Sequence, residues 1–344
     1  MTSPPLPPAW GPIWPQFAAA AGWPTHVAAR PSQSGFSSAS LWKVSTPRGE
    51  FALRAYRDAP DRPAQLRAVH AALLGALRAG LDLLPIPISA EDGSTFLAHD
   101  GQWWELLSWL PGEACAPAAW TSAKTRAAGE ALAQTHAALA ESYQGEIFAE
   151  PSPNVRSRHA RLAELRGGKF ESLRAQLRPE IWPELFSTAT SLARCAAGLI
   201  APIAADLHAA LTIRVRLQPC LRDVWHEHVL FRVDTVSGFI DLLPLQADCV
   251  ATDLARLFGS LAPPDAPLWQ IGLAAYSARR GLSDDERRLL PVLERSGRLL
   301  AAVNWLSWIY EDRVEFRQPA AAARRVREVA EQLDELADRA GRWP

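Results

Sequence analysis

A chain of 344 residues is long enough for one large domain or for two lobes with real cores. Hydrophobic residues make up 48% and charged residues 21%, an ordinary globular balance, and a formal net charge of -1 argues against a general nucleic-acid or anionic-membrane binder. The four cysteines (Cys115, Cys195, Cys220, Cys249) form no C-x-x-C pair, so they read as buried or free thiols of a reducing compartment. The opening MTSPPLPPAWGPIWPQF lacks a basic region followed by an apolar core, and no run approaches a membrane span, so the expectation is a cytoplasmic protein.

Residues 1–30 predict an N-terminal arm: an extended Pro-rich stretch to about residue 15, then a short helix from Phe17 that stops at Gly22-Trp23-Pro24. Gly35, Ser37 and their small neighbours lead into an alternating run from Leu41, which predicts strand, turn and strand. A further turn at Pro47-Arg48-Gly49 precedes a strand over 50–56 that carries Arg54. Residues 63–80 have helical period, with Leu66, Val69, Leu73 and Leu77 on one face. Three strand-like runs follow at 85–89, 95–98 and 103–110, with Asp92-Gly93 and Asp100-Gly101 between them, the strongest short hairpin signal. Residues 33–110 therefore predict an antiparallel sheet with one helix.

Thr121 caps a helix to about residue 142 with Leu132, Thr135, His136 and Leu139 on one face; His136 reads as a hydrogen-bonded core histidine. Residues 144–160 look like loop. Helices are expected at 159–176, 184–210, 265–280, 283–310 and 319–341, and the aromatic run at Trp305, Trp308 and Tyr310 reads as core.

The informative stretch is 217–260. Two short apolar runs, 229–233 and 236–240, flank Asp234-Thr235 and predict a hairpin. Asp223 precedes it, His228 follows five residues on, and Asp241 stands at its exit. A tight hairpin returns the chain to its start, so both carboxylates can share one mouth. One can take a proton from a hydroxyl while the other holds a metal, the two tasks of phosphoryl transfer to an alcohol. His226 and His228 offer a second chemistry, an H-x-H pair on one side of a strand, which with Asp223 and Asp241 suits a transition-metal hydrolase. Asp253 is expected to N-cap a helix over 254–261.

Arg222-Asp223 followed by His228-Val229-Leu230-Phe231, then Gly238-Phe239-Ile240-Asp241, resembles the catalytic loop and metal segment of the aminoglycoside phosphotransferase and choline kinase-like family. Asp248 and Asp253-Leu254-Ala255 resemble the segment that follows. The resemblance implies a two-lobed, α+β protein-kinase-like fold: a small antiparallel-sheet lobe with one helix (31–112, nucleotide-binding) and a larger, mainly helical lobe (113–344, catalytic loop, metal site and substrate helices). It implies ATP and Mg2+ as cofactors and a small-molecule hydroxyl as acceptor. Asp223 becomes the base and Asp241, helped by His228, the metal site. Gly35, Ser37 and Arg54 meet the phosphates. Glu105–Gly112 resembles the family's hinge, which puts Glu105 and Leu107 against the adenine.

This sequence departs from that pattern at Leu221 (His in the family), His228 (Asn), Arg54 (Lys) and in a helix 63–80 without any Glu, for which Gln65 or His70 could substitute. Imidazole suits a hard cation less well than an amide oxygen does. A nucleotide-binding module without turnover is thus the competing expectation.

Overall fold

The computed structural model describes residues 10–29, 40–143, 149–262, 266–316 and 318–340. The chain runs through α1 (Trp14–Ala21), β1 (His26–Ala29), β2 (Ser40–Thr46), β3 (Gly49–Arg57), α2 (Arg62–Arg78), β4 (Phe96–His99), β5 (Gln102–Ser108), β6 (Glu113–Ala114) and α3 (Ser122–Glu141). There follow β7 (Ala149–Glu150), α4 (Pro153–Glu164), α5 (Phe170–Arg174), α6 (Phe186–Ala210), β8 (Val215–Arg216), β9 (Gln218–Cys220), β10 (Val229–Arg232), β11 (Thr235–Phe239) and β12 (Gln246–Asp248). The chain closes with α7 (Ala251–Gly259), α8 (Pro267–Arg279), α9 (Asp284–Leu306) and α10 (Pro319–Ala340). It forms two compact units: Met1–Glu146, Gln218–Gln246 and Ser260–Gly281 in the first, Ile147–Leu217, Ala247–Gly259 and Leu282–Pro344 in the second.

In the first unit a five-stranded antiparallel sheet has the order β1-β2-β3-β5-β4. Side chains alternate along β3. Phe51, Leu53 and Ala55 face a core with Trp104, Leu106 and the N-terminal Trp10, Trp14 and Phe17. Trp42 stacks on Trp104 at 5.7 Å between ring centroids, and Trp10 on Trp14 at 6.0 Å. The expected extended arm is therefore helical from Trp14, because Pro15 sits in the first turn, where its missing N–H costs nothing. The opposite face of the sheet carries Tyr56 against Leu66 of α2, with Phe96, Trp103 and Leu243 packed alongside.

Two expectations are corrected here. Residues 85–89 form one bridge, Pro87↔Leu107, instead of a strand, because Pro85 and Pro87 have no N–H to donate to a ladder. Leu77, expected on the buried face of α2, is exposed, and His70 lies there instead.

β10 and β11 form the expected hairpin, joined on by β6. Its turn is Val233-Asp234, one residue earlier than expected, since Arg232 pairs with Thr235. Val233 takes a left-handed φ of 59° there, an unusual state for a β-branched residue. Gly238 is required by close approach: a Cβ would lie 2.4 Å from Leu110 Cδ1 and 3.2 Å from the Leu83 carbonyl oxygen. Thr121 caps α3 by accepting from the Lys124 N–H, as expected. His136 bonds Tyr276 Oη at 2.8 Å, the core role expected of it.

The second unit is a helical assembly in which α6 packs on α4, α9 and α10. Ser152 caps α4 through the Val155 N–H, so residues 153–160 are helix, not loop. A π turn at Leu165–Lys169, with Gly168 at φ 109°, splits the helix expected over 159–176. α9 starts at a capping box, with Ser283 and Glu286 satisfying each other's N–H groups, and ends in a second π turn, Ser307–Glu311. Asp253 lies inside the first turn of α7, not at its cap. The apolar helical stretch Pro183–Ala210 is long and apolar enough to cross a membrane by length and composition. Its Leu192, Ala196, Leu199, Ile203 and Leu207 are buried, and its Asp206 pairs with Arg295 at 2.7 Å, as in the core helix of a helical assembly.

Candidate active site

The chemistry gathers in the first unit, around Arg54. The register of β3 and β5 sets Arg54 directly opposite Glu105. Tyr56, two residues on, shares the face of Arg54. Arg54 donates through Nη1 to Tyr56 Oη (3.2 Å) and through Nη2 to Asp241 Oδ1 (3.2 Å), with Glu105 Oε1 3.8 Å away. Tyr56 in turn donates to Glu105 Oε1 at 2.7 Å. His70 of α2 meets Glu105 Oε2 at 2.6 Å through Nε2 and Thr95 Oγ1 at 2.7 Å through Nδ1. Nε2–H donates to the carboxylate, and Nδ1 pairs with the Thr95 hydroxyl.

The electrostatics follow. Burial opposes ionisation of Glu105, but the His70 hydrogen bond, the Arg54 charge and the Tyr56 hydrogen bond outweigh it and hold this carboxyl below its ordinary range. Burial also opposes the Arg54 charge, and its Tyr56, Asp241 and Glu105 neighbours more than reverse that, raising it. Burial, then the adjacent carboxylates, push the Tyr56 phenol well up, so it stays protonated.

Asp241 follows β11 in a left-handed backbone state (φ 60°), which Asp tolerates better than most residues. Arg222, just before Asp223, is also left-handed at φ 66° and donates to Gln246 Oε1 at 2.7 Å. The two acidic segments meet at His228. Its Nδ1 lies 2.7 Å from the Asp223 carbonyl oxygen and its Nε2 3.7 Å from Asp241 Oδ2. The Asp223 backbone and the Asp241 carboxylate thus lie on either side of one imidazole.

That ring is held at both nitrogens. Nδ1–H donates to the Asp223 carbonyl, and Nε2 accepts from the Trp225 indole N–H at 2.9 Å. Both ring nitrogens are therefore engaged within the protein. The ring positions two segments. The H-x-H reading loses its premise, because His226–His228 is a 3-10 turn and not a strand.

Among the residues expected to meet nucleotide, Arg54 stands beside Asp241 as described. Glu105 and Leu107 are buried within β5, paired with Arg54 and Ala52 of β3. The Glu105 carboxylate is engaged by Tyr56 and His70 and lies beside Arg54, so its side chain serves as a counter-ion in this site. The neighbouring backbone is also engaged: Leu106 accepts from Ile88, Ser108 donates to Ile86 and Trp109 to Glu50. Gly35 and Ser37 lie outside the described residues. Gln65, named as one substitute for the missing helix acid, donates to the Leu243 carbonyl at 2.9 Å, just beyond Asp241. Tyr56, Thr95 and Trp225 were not anticipated. The i, i+2 spacing of Arg54 and Tyr56 on a strand is the signal that could have found Tyr56.

A divalent cation fits this donor set in part. Asp241 offers a half-exposed carboxylate, a hard oxygen ligand. Magnesium is commonly held by one or two carboxylates together with substrate phosphates, which a single Asp permits.

Comparison with known proteins bears on this geometry. The model of the phosphotransferase enzyme family matches residues 28–292. No curated protein matches the chain. Among solved structures, the microcompartment-associated aminopropanol kinase is similar with a TM-score of 0.63 and 18% identity, over 95% of this chain and 96% of that one. An amicoumacin kinase in complex with AMP-PNP, Ca2+ and Ami gives 0.58 and 11%, over 90% and 91%. An aminoglycoside phosphotransferase from Alicyclobacillus acidocaldarius gives 0.56 and 14%, over 98% of each chain. At such identities the likeness is one of fold: α+β and protein-kinase-like, with a small antiparallel sheet carrying one helix and a larger helical part.

Proposed function

Because the chain belongs to the phosphotransferase enzyme family, we propose that it is a small-molecule kinase, moving the γ-phosphoryl group of ATP to a hydroxyl of a small acceptor. The observation that carries the reading is the Arg54–Asp241 ion pair at 3.2 Å, with Asp241 tied through His228 to the Asp223 segment. A phosphate-seeking cation and a metal-seeking carboxylate meet at one place, next to the backbone of a second acidic residue. Phosphoryl transfer asks for little else, since its catalysis is mainly positioning and charge neutralisation.

In this reading Asp223 accepts the proton of the acceptor hydroxyl. Arg54 grips the phosphates with its planar fork. Asp241 holds Mg2+, which when bound neutralises charge on the phosphates. His228 links the Asp223 backbone to the Asp241 segment instead of ligating metal. Residues 31–112, with Gly35 and Ser37, form the nucleotide-binding part, and 113–344 the catalytic and acceptor part. The solved relatives in complex with AMP-PNP and Ca2+, and the aminopropanol kinase, support a nucleotide, a divalent cation and a small alcohol. A cytoplasmic setting accords with ATP as donor and with four free thiols.

A second reading, nucleotide binding without turnover, is favoured by one observation, the saturated His228 ring. Titrating Mg·ATP and following ATP consumption over a panel of amino alcohols, aminoglycosides and sugars separates the two. Consumption with at least one acceptor is expected for the kinase. Binding with consumption no greater than that of Asp223→Asn would leave the binding module.

A further inference from the structure

We propose that Glu105 of β5, with Tyr56 as its relay and His70 as its clamp, is the positioning acid for Arg54. This rests on the kinase reading of the site. Helix α2 offers no acid: none occurs between residues 63 and 80. The negative charge that orients the phosphate-binding cation comes instead from the adjacent strand, placed by the β3–β5 register.

The geometry gives Arg54 two distinct edges. Nη1 is pinned from behind, donating to Tyr56 Oη, which donates to Glu105 Oε1. Nη2 is turned forward onto Asp241 Oδ1. Glu105 cannot swing away, because His70 holds Oε2 and Thr95 fixes the His70 ring. When a cation engages Asp241, the forward edge can pass to a phosphate oxygen while the rear edge keeps its aim. A purely structural cluster has no need of this expense, since apolar residues of similar volume fill a core as well or better than a buried ion pair. The bidentate fork also explains Arg at 54: an ammonium has no planar pair of edges to divide between a rear relay and a forward ligand.

The test is a cycle of Mg·ATP dissociation constants, titrated into the millimolar range, on wild type, Glu105→Gln, Tyr56→Phe, Arg54→Gln and the two double variants. Thermal unfolding of each checks that it is folded. Glu105→Gln keeps size but not charge, and should weaken Mg·ATP on the order of tenfold. Tyr56→Phe removes only the relay hydroxyl and should weaken it less, in the same direction. In the Arg54→Gln background both effects should shrink to within about twofold, because their target is gone. Equal losses in the two backgrounds, or no loss in folded Glu105→Gln and Tyr56→Phe, would overturn the proposal while leaving the kinase reading in place. A folded wild type that binds no Mg·ATP would overturn both.

Discussion

Glu105 in the first unit and Glu294 in the second are equally buried, at 3% and 4% exposure, yet the protein treats them in opposite ways. Around Glu105 converge an imidazole N–H, a phenol and a guanidinium, and its carboxyl is held below the ordinary range. Glu294 pairs closely with Arg298 one helical turn on, and burial still raises it despite that charge. Nearby guanidinium charges from Arg298, Arg295 and Arg339 do not repay the loss of water at Glu294; several aligned hydrogen-bond donors do at Glu105. The difference separates a charge the fold is built to keep from one it merely tolerates. Packing tells the same story. Gly238, beside the acidic loop, has no room for a methyl group, whereas Gly198 on α6 opens onto space.

Four substitutions sharpen or break this contrast. Glu105→Ala should cost the most, about 3 kcal/mol or more in urea unfolding, because it strands Arg54, Tyr56 and His70 in a buried site. Gly238→Ala should cost about 1–3 kcal/mol, since Leu110 or the Leu83 backbone must shift. Gly198→Ala should instead stabilise by about 0.5–1 kcal/mol, the usual gain for a glycine inside an exposed helix turn. Glu294→Gln should stay within about 1 kcal/mol of wild type near neutral pH. Equal costs at 105 and 294 would erase the distinction.

The pH dependence gives a second handle on the same pair. Glu105 is depressed in the folded state, so its contribution is present above the ordinary glutamate range and is lost as pH falls through its folded value. Glu294 is raised, so its contribution is present below the ordinary range and is lost as pH rises through its folded value. Unfolding free energies between about pH 3 and 8 should therefore show a shallower acid limb for Glu105→Gln and the opposite change of slope for Glu294→Gln.

The stretch that holds Asp223 and Asp241 was readable because its folding signals are local. Asp223, the hairpin and Asp241 lie within one short stretch, and turn and period signals suffice to fold that stretch back on itself. The sheet of the first unit was readable from Asp-Gly turns, apart from the 85–89 run, where two prolines silence the ladder. What stayed hidden depends on register and on rotamers. That Arg54 faces Glu105 follows from which residue of β3 pairs with which of β5, and no local pattern states it. That His228 is engaged at Nε2 follows from an indole three residues earlier, beside a 3-10 turn. His70 was named only as one of two stand-ins, because a histidine on a buried helix face is commonplace until its carboxylate partner is located.

The most direct measurement is transfer itself. The wild-type protein and Asp223→Asn, both folded, are incubated with γ-labelled ATP, Mg2+ and a broad pool of small alcohols, and labelled phosphomonoesters are separated and identified. The account predicts at least one labelled ester with wild type and a loss of roughly a hundredfold or more with Asp223→Asn. A wild-type protein that binds the nucleotide but labels no acceptor, or labels it equally well without the Asp223 carboxylate, would contradict it.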